Sequence, residues 1–210
     1  MKVLAVSDQI AENLYTPTVA GRLGHIDLVL GCGDLPYYYL EYLMTMLNAP
    51  LLYVHGNHDP LAEYSGRDGK SQKAGPDGGD NIHLRSAKVG GMLVAGLEGC
   101  IHYRPSDAYQ YTQSDMWLRT AALAALLAPN RLVKGRCLDI LVTHSPPFGI
   151  HDGQDAAHVG FRSFLTFMRF CRPRYLLHGH VHRFHAGMPS ETRFAETTVI
   201  NVYPYRIVEI

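Results

Sequence analysis

Five short apolar runs in this 210-residue chain each stop at a side chain able to hold a metal or move a proton. Residues 2–6 end at Ser7-Asp8, and residues 26–30 end at Gly31-Cys32-Gly33-Asp34. Residues 51–54 run into His55-Gly56-Asn57-His58-Asp59, and residues 138–142 into Thr143-His144. The fifth run, Tyr175-Leu176-Leu177, leads into His178-Gly179-His180-Val181-His182. Apolar runs of this length bounded by turn residues read as buried strands. With helices between them, such strands restrict the chain to an α/β architecture whose ligands sit at the carboxyl ends of the strands.

The intervening segments fit that alternation. Pro36 suits a first helical turn, which Tyr37 to Leu47 continues. Ser114 is expected to cap an Ala/Leu-rich helix that stops before Pro129. Phe161, Phe164, Leu165 and Met168 share one face of a helix ending near Arg172-Pro173. Ser65 to Asp80 reads as a mobile surface loop, and Lys88 to Val94 as a hairpin around Gly90-Gly91. Residues 197–202 and 205–210 read as a second hairpin joined through Pro204. No linker or repeat breaks the chain, so residues 1–210 are expected to form a single domain.

Composition narrows the partners. Apolar residues at 47% and charged residues at 18% describe a globular chain rather than a disordered one. Lys+Arg and Asp+Glu are equal at 19 each, so no overall field attracts a polyanion, and nucleic acid is not expected as a partner. No run approaches the roughly 18–20 apolar residues of a membrane span. Val3 to Val6 is too short for a signal-peptide core. Cys32, Cys100, Cys137 and Cys171 are too scattered for a disulfide framework, which points to a reduced, cytoplasmic protein.

The strand ends together offer Asp8, Asp34, Asn57, His144, His180 and His182. Carboxylate, amide oxygen and imidazole suit Mn, Fe, Zn or Co, and the absence of close cysteine pairs argues against a structural zinc site. In order and spacing, Asp8, Gly33-Asp34, Gly56-Asn57-His58-Asp59, Thr143-His144 and Gly179-His180-Val181-His182 resemble the calcineurin-like metallophosphoesterase superfamily. The resemblance runs from Met1 to the C-terminal strands. It implies a four-layer αββα sandwich, two mixed sheets flanked by helices, carrying two divalent metal ions.

The resemblance also implies roles. Asp34 would bridge the two metals, Asp8 and His182 would complete the first, and Asn57, His144 and His180 would hold the second. His58 would face the substrate as the catalytic acid or phosphate stabiliser. The chemistry is coherent: two cations shield a phosphoester's negative charge and make hydroxide available near neutral pH. Imidazole is well matched to protonate the leaving alkoxide.

One position departs from the pattern. The family's first motif is Asp-x-His, and Asp8-Gln9-Ile10 places isoleucine where the histidine belongs. The first metal therefore loses a protein ligand and is expected to bind less firmly than the second. Gln9 and His151 are conceivable substitutes.

Other residues near the motifs read less sharply. Asp59 is expected to cap a following helix, and His25, His55, His83 and His185 to be structural or exposed. His178 is expected to pack rather than ligate. His151, in the Pro-rich loop after His144, reads equally well as a phosphate contact and as an exposed loop residue. His102, Tyr103 and Arg104 are candidates to reach the pocket, and one ring of Tyr37 to Tyr39 to line it.

The expected function is metal-dependent hydrolysis of a phosphomonoester or phosphodiester, with a phosphorylated small molecule such as a nucleotide as substrate. Two rivals stand beside it. One is a non-catalytic, metal-binding interaction scaffold, as in the family's retromer subunit, which Ile10 favours. The other is a nuclease, which predicts a basic groove.

Overall fold

The computed structural model describes residues 1–61, 63–65, 71–104, 108–182 and 189–210. The first half runs β1 (Lys2–Val6), α1 (Val19–Leu23), β2 (Leu28–Gly31), α2 (Tyr37–Leu47), β3 (Leu51–Tyr53), β4 (Glu63–Ser65), β5 (Ser71–Lys73), β6 (Asp80–Asn81), β7 (Ser86–Val89) and β8 (Met92–Leu97). The second runs β9 (Cys100–Ile101), β10 (Gln110–Tyr111), α3 (Gln113–Lys134), β11 (Ile140–Thr143), α4 (Arg162–Cys171), β12 (Tyr175–His178), β13 (Glu191–Phe194), β14 (Thr197–Asn201) and β15 (Tyr205–Glu209).

Two mixed sheets form the centre. One has the order β15-β1-β2-β3-β6 and the other β13-β14-β12-β11-β8-β7. The inner strands are parallel, while β15, β13 and β7 run antiparallel at the edges. Because strand side chains alternate, a strand buried on both faces feeds two cores at once. Val3 and Ala5 pack between the sheets, whereas Leu4 and Val6 pack toward α1 and α2. In the second sheet Ile140 and Val142 face the first sheet, and Leu141 faces α3 and α4. The result is the expected four-layer αββα sandwich. The donor-bearing strands are parallel within each sheet, and the carboxyl ends of both sets reach one rim, where Asn57 after the first sheet's β3 meets His144 after the second sheet's β11.

Four local expectations are corrected. Helix α3 is capped by Thr112, whose hydroxyl accepts from the Asp115 N–H while the Asp115 carboxylate accepts from the Thr112 N–H, a reciprocal box that outcompetes Ser114. The helix also runs through Pro129 to Lys134 and stops at Gly135, which takes the left-handed conformation with φ 72°. Pro129 lies on the solvent side of the helix, where a missing N–H is least costly. The tail is no hairpin: β14 pairs with β12 in one sheet, and the chain crosses at Pro204 so that β15 pairs with β1 in the other. Finally, Ser65 to Asp80 is not all loop. β5 pairs with β4 and β6 joins the first sheet, while residues 66–70 lie outside the described residues.

Candidate metal centre

The six strand-end donors meet at this rim. Three of them, Asp8, Asp34 and His180, hold left-handed backbone at φ 65°, 58° and 66°. Non-glycine residues adopt that region at a cost of about 1–3 kcal/mol each, and such strain gathers at functional sites. It turns each side chain out of its strand axis and toward its neighbours.

The glycines beside the donors let the loops approach. A Cβ at Gly56 would meet the Asp34 carboxylate and lie 2.7 Å from the His144 ring. A Cβ at Gly179 would run into Ser7 Oγ and the Asp8 carboxylate. Asp59 then ties the β2 and β3 loops together, because its carboxylate accepts from the N–H groups of Asp34 (3.1 Å), Leu35 (3.2 Å) and Gly56 (2.7 Å). Burial, and then the Asp34 charge, push its pKa up. Among the described residues no helix follows it, and Asp59 clamps the site instead of capping one. The sequence carried its signal only as the last letter of Gly-Asn-His-Asp.

His144 is fully buried beneath the centre. Its Nδ1–H donates to the Cys32 carbonyl at 2.8 Å, so Nε2 points up with its lone pair. There it meets Asn57 Oδ1 at 3.0 Å and Asp34 Oδ2 at 3.3 Å. Asn57 is oriented by donating its Nδ2–H to the Tyr103 hydroxyl, 3.2 Å away, which leaves its oxygen facing inward. Three electron-rich atoms thus converge, and only a positive charge can stand among them, a proton or a metal cation. Burial alone would lower the His144 pKa, yet the Asp34 and Asp8 carboxylates raise it to about 9. Burial would likewise raise that of Asp34, and His144 instead brings it to about 2.

His180 donates Nε2–H to the Ala157 carbonyl at 2.8 Å, which leaves Nδ1 as its free donor. Burial, then His144, lower its pKa to about 4, so its ring is neutral near pH 7. Donor atoms of Asp34, His144 and His180 lie within 4.8 Å of one another, close enough to share one ion. This chemistry of oxygen and imidazole donors fits a borderline divalent cation.

The position that the resemblance assigns to a first metal is poorer in donors. The Asp8 carboxylate accepts twice from the His180 N–H, at 3.1 and 2.9 Å, and lies 3.7 Å from His182 Nε2. Ile10 packs against the core under α1 and α2. Gln9 does not replace the missing histidine, because its Oε1 accepts from the Tyr203 hydroxyl at 2.6 Å, and Tyr203 stacks on His182. His151 is elsewhere as well: it bonds His178 (3.1 Å) and Thr192 (2.8 Å) behind the β12 loop.

Above the donors opens a cavity of about 490 Å³, lined by Asp8, Asp34, Asn57, His58, His180 and His182 together with Tyr103, Arg104 and His158. Its volume suits a small ligand. His58 is exposed there, while its backbone N–H donates to Asp34 Oδ1 at 2.7 Å. His158, unmarked by the sequence reading, is held by Asp155 at 2.7 and 2.9 Å and lies beside the His180 ring. An Asp and a His three residues apart in a loop give too common a pattern to be noticed without the fold. His102 and the rings of Tyr37 to Tyr39 do not line this cavity. His55 and His178 are buried, His83 half-buried and His25 exposed, and His185 lies outside the described residues.

A four-layer αββα sandwich with carboxylate, amide and imidazole donors gathered at its strand ends is the architecture of the metal-dependent phosphoesterases. The chain belongs to the calcineurin-like phosphoesterase family, whose model matches residues 1–184. That family is divalent-metal dependent and acts on phosphoesters. Among solved structures, TT1561 of Thermus thermophilus is similar with a TM-score of 0.61 at 18% identity, over 96% of this chain and 88% of that one. A second crystal structure is similar with a TM-score of 0.62 at 14% identity, over 99% of this chain and 94% of that one. At such identities the likeness speaks for the fold alone. No curated protein matches the sequence. Among the described residues no helix is long and apolar enough to cross a membrane.

Proposed function

We propose that this chain hydrolyses a small phosphomonoester or phosphodiester, such as a nucleotide, at a centre held by Asp8, Asp34, Asn57, His144, His180 and His182. The observation that carries the reading is the convergence of His144 Nε2, Asn57 Oδ1 and Asp34 Oδ2, each fixed from behind by a hydrogen bond or by burial. Divalent cations held there, Mn, Fe, Zn or Co, would supply hydroxide near neutral pH and neutralise the phosphate's charge. Asp34 lines the cavity with both donor groups and would be the carboxylate they share. His58, exposed at the cavity floor, gives its proton to the leaving oxygen. Arg104 lines the same cavity and offers a cation to the phosphate. The first position, short of the histidine that Ile10 displaces, binds its ion more weakly, so purified protein holds nearer one firmly bound metal per chain than two.

Residues 1–210 act as one domain in this reading, supported by β15 returning to pair along β1. A reducing, cytoplasmic setting agrees with four free, buried cysteines. Nucleic acid is not part of the reading, given the balanced charge.

Ile10, half-buried against the core where a histidine ligand is expected, supports one rival, a metal-binding scaffold without catalysis. Bis-p-nitrophenyl phosphate and p-nitrophenyl phosphate, each with added manganese, separate the two and also sort diester from monoester preference. Wild type should turn over one of them in a chelator-sensitive manner. His58→Ala should lose about 10²–10⁴-fold in rate while its metal content is unchanged. Absence of turnover with every divalent metal tried, in a protein that binds metal, would hand the site to the scaffold reading.

A further inference from the structure

Helix α3 buries Met116, Thr120, Leu123 and Leu127 against α4 and the second sheet. Its opposite face is apolar too, which an ordinary amphipathic helix avoids. Leu118 is 72% exposed, Leu126 59%, Leu132 91% and Val133 85%, with Trp117 and Phe170 of α4 beside them. The exposed positions between these large side chains are alanine or proline. Arg119 and Arg131 turn back onto their own chain, over the rings of Tyr111 and Phe170. No charged side chain interrupts this face from Trp117 to Val133. Six such side chains present on the order of 600 Å² of apolar surface, beyond the few hundred Å² typical of a monomer's patches and near the ~800 Å² per partner of a standard interface.

We propose that this face is a homodimer interface, in which two copies pair α3 against α3, antiparallel, about a two-fold axis at Ala125. The pattern of the helix selects a second copy as the occupant. The central stripe of the exposed face, residues 118, 121, 122, 125, 129 and 132, has a leucine at each end and only alanine and proline between them. Leu118 and Leu132 each lie seven residues, about two turns, from Ala125 and share its side of the helix, while Trp117 flanks that stripe on one side and Leu126 and Val133 flank it on the other. Antiparallel pairing therefore sets Leu118 of one copy beside Leu132 of the other, with alanine on alanine where the helices cross closest. A two-fold contact requires this kind of self-complementarity. Antiparallel helix dipoles also attract. The chain's formal net charge of +0 sets no long-range repulsion against self-association. None of the residues lining the metal cavity lies on α3, so pairing leaves that site open.

Sedimentation equilibrium of the full chain at tens of micromolar tests this. Wild type should sediment at twice the 23.4 kDa chain mass. Ala125→Glu sets two like charges facing each other on the axis and should give monomers with an unchanged circular dichroism spectrum. Ala125→Cys should cross-link to a symmetric disulfide dimer on mild oxidation. A monomeric wild type overturns the proposal and leaves the face to some other partner. An Ala125→Glu protein that stays dimeric, or an Ala125→Cys dimer that does not cross-link, overturns it equally by placing the interface elsewhere.

Discussion

His144 shows how much a single ring can decide. Its Nδ1–H is committed to the Cys32 carbonyl, and its Nε2 faces two oxygens that have no hydrogen to offer it. A proton at Nε2 or a metal cation must relieve that repulsion, and the two exclude each other. The His144 pKa of about 9 means that the metal-free protein carries the proton at pH 7.5. Asp34, near 2, and His180, near 4, are already in their metal-binding forms at that pH. Binding should therefore expel close to one proton at pH 7.5, with a fraction more from His182, whose hydrogen bond to Asp8 raises its pKa. The release should vanish above about pH 9, and apparent affinity should climb about tenfold per pH unit below that. Titration calorimetry in buffers of different ionisation enthalpy counts the protons. Binding with none released at pH 7.5 would mean that Nε2 is not the donor.

At the scale of elements, strands were more legible than helix ends. The apolar runs announced β1, β2, β3, β11 and β12 because a doubly buried strand needs continuous apolar sequence and its exit needs turn residues. The donors were legible because they sit in those exits, with Asp34, Asn57 and His180 directly after a glycine. Asp59, His158 and the Asp155 that holds it were not, since their roles depend on loops brought together from distant sequence. The tail misled for a related reason: alternation reveals a strand but not which sheet it joins, and β14 and β15 join different ones. In α3, Pro129 argued for a stop, yet the helix continues for a further turn to a left-handed Gly135 cap, whose N–H donates to the Arg131 carbonyl. A proline inside a helix forfeits one backbone hydrogen bond and crowds the preceding turn. Pro129→Ala should thus stabilise the chain by about 1–3 kcal/mol, less than the full interior penalty because this position lies near the C-terminus. Chemical denaturation measures it. An unchanged or lower midpoint would show that proline geometry there is needed by what packs around it.

Across the whole molecule, acid and base are balanced in number while the buried histidines are not balanced in effect. His178 is sealed behind the metal centre in a directed chain. Thr192 donates its hydroxyl to His151 Nε2, His151 donates Nδ1–H to His178 Nε2, and His178 donates Nδ1–H to the Gly179 carbonyl. A second proton on His178 would set N–H against N–H, at a ring fully buried from solvent. Burial, with His151 adding to it, lowers the His178 pKa to about 3 from 6.5. Unfolded chain therefore binds a proton on this ring that folded chain refuses between those two values. Linkage then requires stability to be held above pH 6.5 and lost as pH falls toward 3, with a slope near 1.4 kcal/mol per pH unit from this group alone. Glu98 acts in the same direction only at lower pH. Burial opposes its ionisation, but hydrogen bonds from His55 and Tyr111 and the nearby His83 hold its pKa below 4.5, so its contribution is kept above that value and lost beneath it. The window from about pH 6.5 to 5 thus belongs to the histidines. Replacing His178 by glutamine, neutral throughout, should reduce the proton uptake on unfolding in that window by about one, read from the pH slope of urea unfolding. An undiminished slope would place the acid sensitivity of the fold in His83 and His180 and leave the chain from Thr192 to Gly179 without a part in it.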